Sequence, residues 1–181
     1  GLLLSSCGRS PDSQFYVLNP ISPQSNKLKN YNHLRIGINR IHGPSYLAKP
    51  QLVIHCSAHE VKLEEYHRWV ETLAHNTQRV IEANLTTLLP GAAFVSEPWD
   101  VNFKPQYQLQ VDIVQFEVDI YGNSRLSADY LIYSENHLNS KGSLVYHQKV
   151  NPPIVANLVA SMNMNLTHLT RDLGKVLASL K

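Results

Sequence analysis

The apolar residues of this chain follow two periods, and the changes of period mark its elements. Phe15-Tyr16-Val17-Leu18 is a short β-type run closed by Asn19-Pro20, and a polar Pro/Ser/Asn-rich loop follows as far as Asn32. From His33 to Ile41 the apolar positions Leu34, Ile36, Ile38 and Ile41 fall in near alternation, as in a strand with one wet face. His42-Gly43-Pro44 breaks that strand. Leu52-Val53-Ile54-His55-Cys56 is another apolar run of strand length, with Glu60 to Tyr66 placed to pair beside it. The period then becomes helical. Trp69, Leu73, Thr77, Val80, Asn84 and Leu88 share one stripe, widened by Val70, Ile81, Leu85 and Leu89 and stopped by Pro90-Gly91.

Beyond Pro98-Trp99 the alternation returns. Leu109, Val111 and Ile113 occupy odd positions and Val114, Phe116, Val118 and Ile120 even ones; one extra residue in a β-bulge near Ile113–Gln115 would reconcile the two phases. Tyr121-Gly122-Asn123-Ser124 reads as a turn, after which Leu126, Ala128, Tyr130 and Ile132 alternate. A polar loop from Ser134 to Gly142 leads to a third run, Leu144 to Val150, completing an antiparallel meander. Asn151-Pro152-Pro153 opens a last helix, whose apolar stripe runs through Val155, Val159, Met162, Leu166, Leu169, Leu173, Val176 and Leu180. Alternate steps of four and three make a heptad pattern, which either fills the core or also meets a neighbouring subunit. The expected fold is α/β: a sandwich with a mixed sheet, including a three-stranded antiparallel meander, and two long helices packed on it. The chain has no internal repeat, and its 181 residues suit one domain.

Composition narrows the function more by exclusion than by assignment. The chain is 43% hydrophobic and 17% charged, too apolar for disorder and too interrupted to span a membrane repeatedly. A net charge of +2 supplies no field for holding nucleic acid. Two cysteines make neither a disulfide framework nor a thiolate zinc site. His55 and His59 are four apart, but no second His completes a His-Glu-x-x-His pattern, and the segment reads as strand and loop. His67 and His75 are too far apart along the chain to share an ion. There is no Gly-x-Ser-x-Gly elbow and no phosphate-cradling glycine loop. Asp112, Glu117 and Asp119 alternate onto a solvent face rather than forming a paired-carboxylate cleft, and Cys56 reads as a buried, inert thiol. No catalytic, metal or cofactor site is expected.

The N-terminus carries the most specific signal. Leu2-Leu3-Leu4 followed by Ser5-Ser6 looks like the end of a secretory signal peptide. Leu4-Ser5-Ser6-Cys7 resembles a bacterial lipobox, with small residues for close approach by the peptidase and a cysteine whose thiol takes the lipid. Residues 1–6 are then a signal-peptide remnant, Cys7 the lipid attachment site, residues 7–14 the tether and residues 15–181 the domain. Gly8 stands where an aspartate would favour retention at the inner membrane, so outer-membrane sorting is expected.

Two further segments are specific. Tyr46-Leu47-Ala48-Lys49-Pro50-Gln51 before a strand, and Arg68-Trp69-Val70-Glu71-Thr72-Leu73 at the start of the long helix, resemble the ABC-type transport auxiliary lipoprotein family, the PqiC (YmbA) group. Lys49 stands where that family usually has arginine, and Ala48 where it commonly has an acid. The resemblance implies a non-enzymatic, periplasm-facing lipoprotein, held in the outer membrane of a Gram-negative bacterium by a lipid anchor. It further implies partnership with an MCE-domain protein and an integral membrane subunit in intermembrane lipid transport, supporting envelope integrity. Homo-oligomeric rings are compatible with such a role. Tyr46, Leu47, Lys49 and Arg68 are the expected partner-binding residues, on the motif alone. An alternative is an envelope lipoprotein that binds or activates another machine, such as a peptidoglycan synthase, since fold does not fix function.

Overall fold

In the computed structural model, which describes residues 8–23 and 29–181, the alternating segments build one eight-stranded mixed sheet and the helical segments two long helices. The strands are β1 (Gln14–Tyr16), β2 (Arg35–Ile38), β3 (Gln51–His55), β4 (Val61–Trp69), β5 (Ala93–Ser96), β6 (Tyr107–Asp119), β7 (Asn123–Ser134) and β8 (His137–Lys149). The helices are α1 (Leu73–Leu88) and α2 (Val155–Ala178). Strand β6 is the spine. On one side it pairs antiparallel with β7, which pairs antiparallel with β8. Its other edge is divided between two parallel partners, β2 along Tyr107–Leu109 and β3 at Val118–Asp119. Strand β5 lies parallel outside β2, β4 lies antiparallel outside β3, and β1 runs parallel outside the end of β4.

The expected bulge is present. Pairing with β7 steps from Ile113 to Gln115, and the skipped residue is Val114. Val114 points outward, 54% exposed, while Val111, Ile113, Phe116 and Val118 keep one buried face. The alternation had placed Val114 on that apolar face; a bulged residue leaves the ladder and is free to turn to water. Both helices cover this buried face, packed on each other and on the sheet. In α2, Val159, Met162, Leu166, Leu169 and Leu173 are all buried, with Leu158, Ser161, Asn165, Thr170 and Gly174 beside them. The middle of the heptad stripe is therefore core, and Val155, Val176 and Leu180 at its ends are partly buried against it. The opposite face of the sheet carries the half-exposed Gln108, Gln110, Asp112, Gln115 and Glu117. At one end of that face the Trp99 indole lies on β2, because Gly37 has no Cβ; one built there would sit 2.8 Å from the ring.

Several boundaries differ from the sequence reading, each for a physical reason. Helix α1 begins at Leu73, not at Trp69. Trp69 ends β4, its N–H bonded to the Pro50 carbonyl at 2.8 Å, and Thr72 caps the helix by accepting from the His75 N–H at 3.2 Å. Val70, counted on the helix stripe, is 63% exposed. The polar stretch 134–142 is not a loop: β7 and β8 are joined by only Glu135 and Asn136, both at positive φ, and β8 starts at His137. Residues 137–142 of β8 are exposed or half-exposed on both faces, so no buried face writes an alternation there. The short β5 leaves no signal in the sequence, since four residues hold too little pattern to read. Prolines 152 and 153 precede the helix, with Ile154 at its N-cap. Cys56 follows β3 and is half-exposed rather than buried in a strand.

Asparagines join the layers. Asn76, fully buried on α1, accepts the Leu18 N–H at 2.7 Å and donates to the Leu18 carbonyl at 3.0 Å. Asn84, also fully buried, accepts the Ile21 N–H at 2.8 Å and donates to Thr170 Oγ1 of α2 at 2.9 Å. These amides satisfy backbone groups that no strand partner reaches. Asn76→Ala orphans both polar groups of Leu18 and should cost about 2–4 kcal/mol. Asn163→Ala removes an equivalent pair of bonds to Asn19 at the wet rim and should cost about 1 kcal/mol or less. Urea denaturation of the two variants checks the difference.

Candidate functional site

The divided edge of β6 is where the Tyr46–Gln51 segment acts. Among the described residues, no strand reaches β6 between the stretches paired with β2 and β3. A 3-10 helix at Ser45–Ala48 crosses the gap, and Tyr46 turns its ring inward so that Oη accepts the Phe116 N–H at 2.8 Å. The same hydroxyl lies 3.5 Å from Glu117 Oε1. Burial pushes the Tyr46 phenol up to about 12; the Phe116 N–H works against that rise and Glu117 works with it. Leu47 is 3% exposed, wedged beneath Gly43 in the core. Lys49 is exposed, its N–H closing the turn on the Tyr46 carbonyl at 3.1 Å. Arg68 lies opposite Gln51 in register, and its guanidinium bonds Glu65 through Oε1 at 3.0 Å and the carbonyl oxygen at 3.1 Å. The two motif segments thus meet through backbone at Pro50–Gln51 and Arg68–Trp69. Lys49 and Arg68 present charge at the surface, while Tyr46 and Leu47 point inward. Cys7 lies outside the described residues.

On the helix-free face a concavity of 680 Å³ lies over the last residues of β3 and β6, the turn that follows β6 and the start of β7. Its floor is a row of side chains from neighbouring strands: His55, Glu117, Arg125 and His147. Register sets Glu117 opposite Arg125 and Arg125 opposite His147. Glu117 Oε2 lies 3.3 Å from His55 Nε2 and accepts from Gln115 Nε2 at 2.7 Å. This polar row was not legible as a group, because its members are far apart in sequence; the signal that would find it is the outward phase of the alternation after the bulge. Cys56 borders the concavity, and its thiol donates to the Ile54 carbonyl at 3.9 Å. Among the described residues no histidine is hydrogen-bonded to a serine or cysteine side chain. Nor do three His, Cys, Asp or Glu side chains gather to hold a metal ion among those residues. Neither helix is long and apolar enough to cross a membrane.

The sequence profile of the ABC-type transport auxiliary lipoprotein component matches residues 16–174. The chain belongs to this family. The match takes in β2 to β8, the last residue of β1, both motif segments, all of α1 and α2 as far as Gly174. No curated protein is similar to it in sequence. Among solved structures, a Xanthomonas campestris protein of the DUF330 family superposes with a TM-score of 0.77 at 12% identity, covering 92% of this chain and 95% of its own. A second, described as an uncharacterized protein, gives 0.76 at 18% identity over 92% and 99%. These establish the fold as one that other chains adopt end to end. The PelC dodecamer of Paraburkholderia phytofirmans is more distant, with a TM-score of 0.46 at 10% identity over 80% and 92%.

One rim of the concavity is held by an acid whose role is structural. Asp119 Oδ1 accepts the N–H groups of Tyr121 and Asn123, both at 2.9 Å, and Oδ2 accepts Asn123 Nδ2 at 2.8 Å. The turn it braces needs Gly122, at φ 93°, where a Cβ would collide with the Val150 carbonyl oxygen. Burial pushes the Asp119 carboxyl up, but the bonds from Asn123 and Tyr121, with Lys149 nearby, outweigh it and hold the group below its ordinary value of 3.8. A depressed acid stabilises the fold above its ordinary value and loses that contribution as pH falls through the folded one. The stability difference between wild type and Asp119→Asn should be constant above about pH 5 and shrink on further acidification. Urea unfolding across pH 2–7 tests this, with wild type the more stable at the neutral end.

Proposed function

We propose that this chain is a non-enzymatic, lipid-anchored subunit facing the periplasm from the outer membrane of a Gram-negative bacterium. In this reading it works with an MCE-domain protein and an integral membrane subunit to move lipid between membranes and support envelope integrity. The observation that carries it is family membership across residues 16–174. Residues 1–6 serve as the remnant of a signal peptide, Cys7 takes the lipid, residues 7–14 form the tether and residues 15–181 the domain. Two or more acyl chains on one cysteine hold a protein stably where a single chain does not. With an anchor of that kind, a net charge of only +2 is no handicap to membrane residence.

The motif supplies the partner surface. Lys49 offers an exposed charge and Arg68 a half-buried one paired with Glu65, and Tyr46 and Leu47 hold the segment from beneath. Lysine in place of the family's usual arginine gives a point charge rather than a planar fork, so its contact is with a carboxylate but not bidentate.

Mass spectrometry of the full-length protein taken from membranes should find acyl chains on Cys7. Cys7→Ala should abolish them and release the chain to the soluble fraction; an unmodified wild-type protein in that fraction would overturn the anchor. In-cell crosslinking should recover an MCE-domain protein with the wild type and about tenfold less with Lys49→Glu/Arg68→Glu. Recovery of a peptidoglycan synthase instead would move the chain to a different envelope machine.

A further inference from the structure

The exposed apolar residues are not evenly spread. Of the thirteen large hydrophobic side chains exposed among the described residues, five lie on β1, β4 or the residue after it. They are Phe15 at 61%, Val61 at 49%, Leu63 at 46%, Tyr66 at 38% and Val70 at 63%. Strand β1 covers β4 only along His67–Trp69. Among the described residues no strand pairs with the outer edge of β4 from Val61 to Tyr66, where the Glu65 carbonyl accepts only from the Arg68 side chain. Exposed apolar groups gathered on an open strand edge mark a surface that is covered in use.

The position of the N-terminus says what covers it. Phe15 belongs to the patch and lies only eight residues after Cys7. Fully extended, that tether reaches about 25–30 Å. On the reading that Cys7 is acylated, the edge bearing Phe15 is thus the part of the domain closest to the lipid surface. The tether keeps it at a high effective concentration there, so a patch too weak to bind alone still docks. Charge contributes little, because the basic groups of the edge are matched by acids. Lys62 Nζ lies 2.9 Å from Glu64 Oε1 and Arg68 Nη2 lies 3.0 Å from Glu65 Oε1.

We propose that the β1–β4 edge rests on the bilayer that holds the lipid anchor, with Phe15, Leu63 and Tyr66 seated at the headgroup boundary. The contact is hydrophobic and indifferent to headgroup charge. It sets the sheet edge-on to the membrane, with β8, the far edge of the meander, pointing away.

The test uses the acylated full-length chain in phosphatidylcholine vesicles carrying a nitroxide quencher high on the acyl chain. Single tryptophan reporters are placed by Leu63→Trp on the edge and by Val145→Trp on β8, where the native residue is 54% exposed. Emission of the unsubstituted protein, from Trp69 and Trp99, is subtracted. Leu63→Trp should be quenched about threefold more than Val145→Trp, with little change when a third of the lipid is phosphatidylglycerol. Equal quenching of the two reporters on a chain shown by mass spectrometry to be acylated overturns the docking and leaves the anchor intact. A chain found unacylated overturns both. Quenching that appears only with phosphatidylglycerol replaces the apolar contact with charge recognition. Shielding of Leu63→Trp in native envelopes but not in vesicles gives the edge to a protein partner. Either of these last two results also sinks the proposal.

Discussion

The fold depends on how one strand edge is shared. Strand β6 is thirteen residues long, and on one side it has a single continuous partner in β7. On the other side β2 and β3 each take one end, and the stretch between them must be satisfied without a strand. His42 covers part of it: its carbonyl accepts the Ile113 N–H at 2.8 Å, and it forms a lone bridge to Asp112. The bulge at Val114 then shifts the ladder, and the Tyr46 hydroxyl accepts the Phe116 N–H. One phenol does the work of a missing carbonyl. The motif that sets this chain apart in sequence is in part the segment that closes this gap, which accounts for a tyrosine at position 46 and an apolar residue at 47 before any partner is invoked.

Closing the gap fixes two surfaces at once. The face carrying Ile113, Phe116 and Val118 is pressed against the helices, and the bulge keeps the phase consistent from one end of β6 to the other. The opposite face then aligns His55, Glu117, Arg125 and His147 across four strands. The helices are locked to the chain start by amides rather than by apolar contact alone. Asn76 and Asn84 hold Leu18 and Ile21, and Asn84 also reaches Thr170, so the segment leaving the tether is bonded to α1 and through it to α2. A pull on the N-terminus is therefore transmitted to the core rather than to a loose strand.

Sequence patterning made the long elements legible for a physical reason: each buries one face, and burial of one face writes a period. The meander, the bulge and α2 follow from that. What the pattern could not disclose were elements stabilised by something other than a buried face. Strand β8 has an edge in water and β5 is only four residues long. The first turn of α1 was displaced because Trp69 and Leu73 are both buried four residues apart, a spacing that a strand end followed by a capped helix can reproduce. The polar positions Thr77 and Asn84 on the α1 stripe were visible, and a buried amide on an apolar stripe demands a partner; its identity, the backbone of residues 18–21, was beyond reach. At the candidate site the order of residues announced Tyr46 to Gln51 and Arg68 as special, yet only the register of β3 and β4 brings Gln51 beside Arg68.

The placement of the chain start relative to the sheet has a last consequence. Strand β1 is parallel to β4 and outermost, so the polypeptide enters the domain along an edge rather than through a face. An anchor attached at that edge leaves both faces of the sheet accessible from the sides: the helical layer on one, the polar row of His55, Glu117, Arg125 and His147 on the other. A domain tethered through the centre of a face would lose that surface to the membrane. The polar face of the sheet contributes nothing to the apolar core, so its side chains are available for contacts outside the domain.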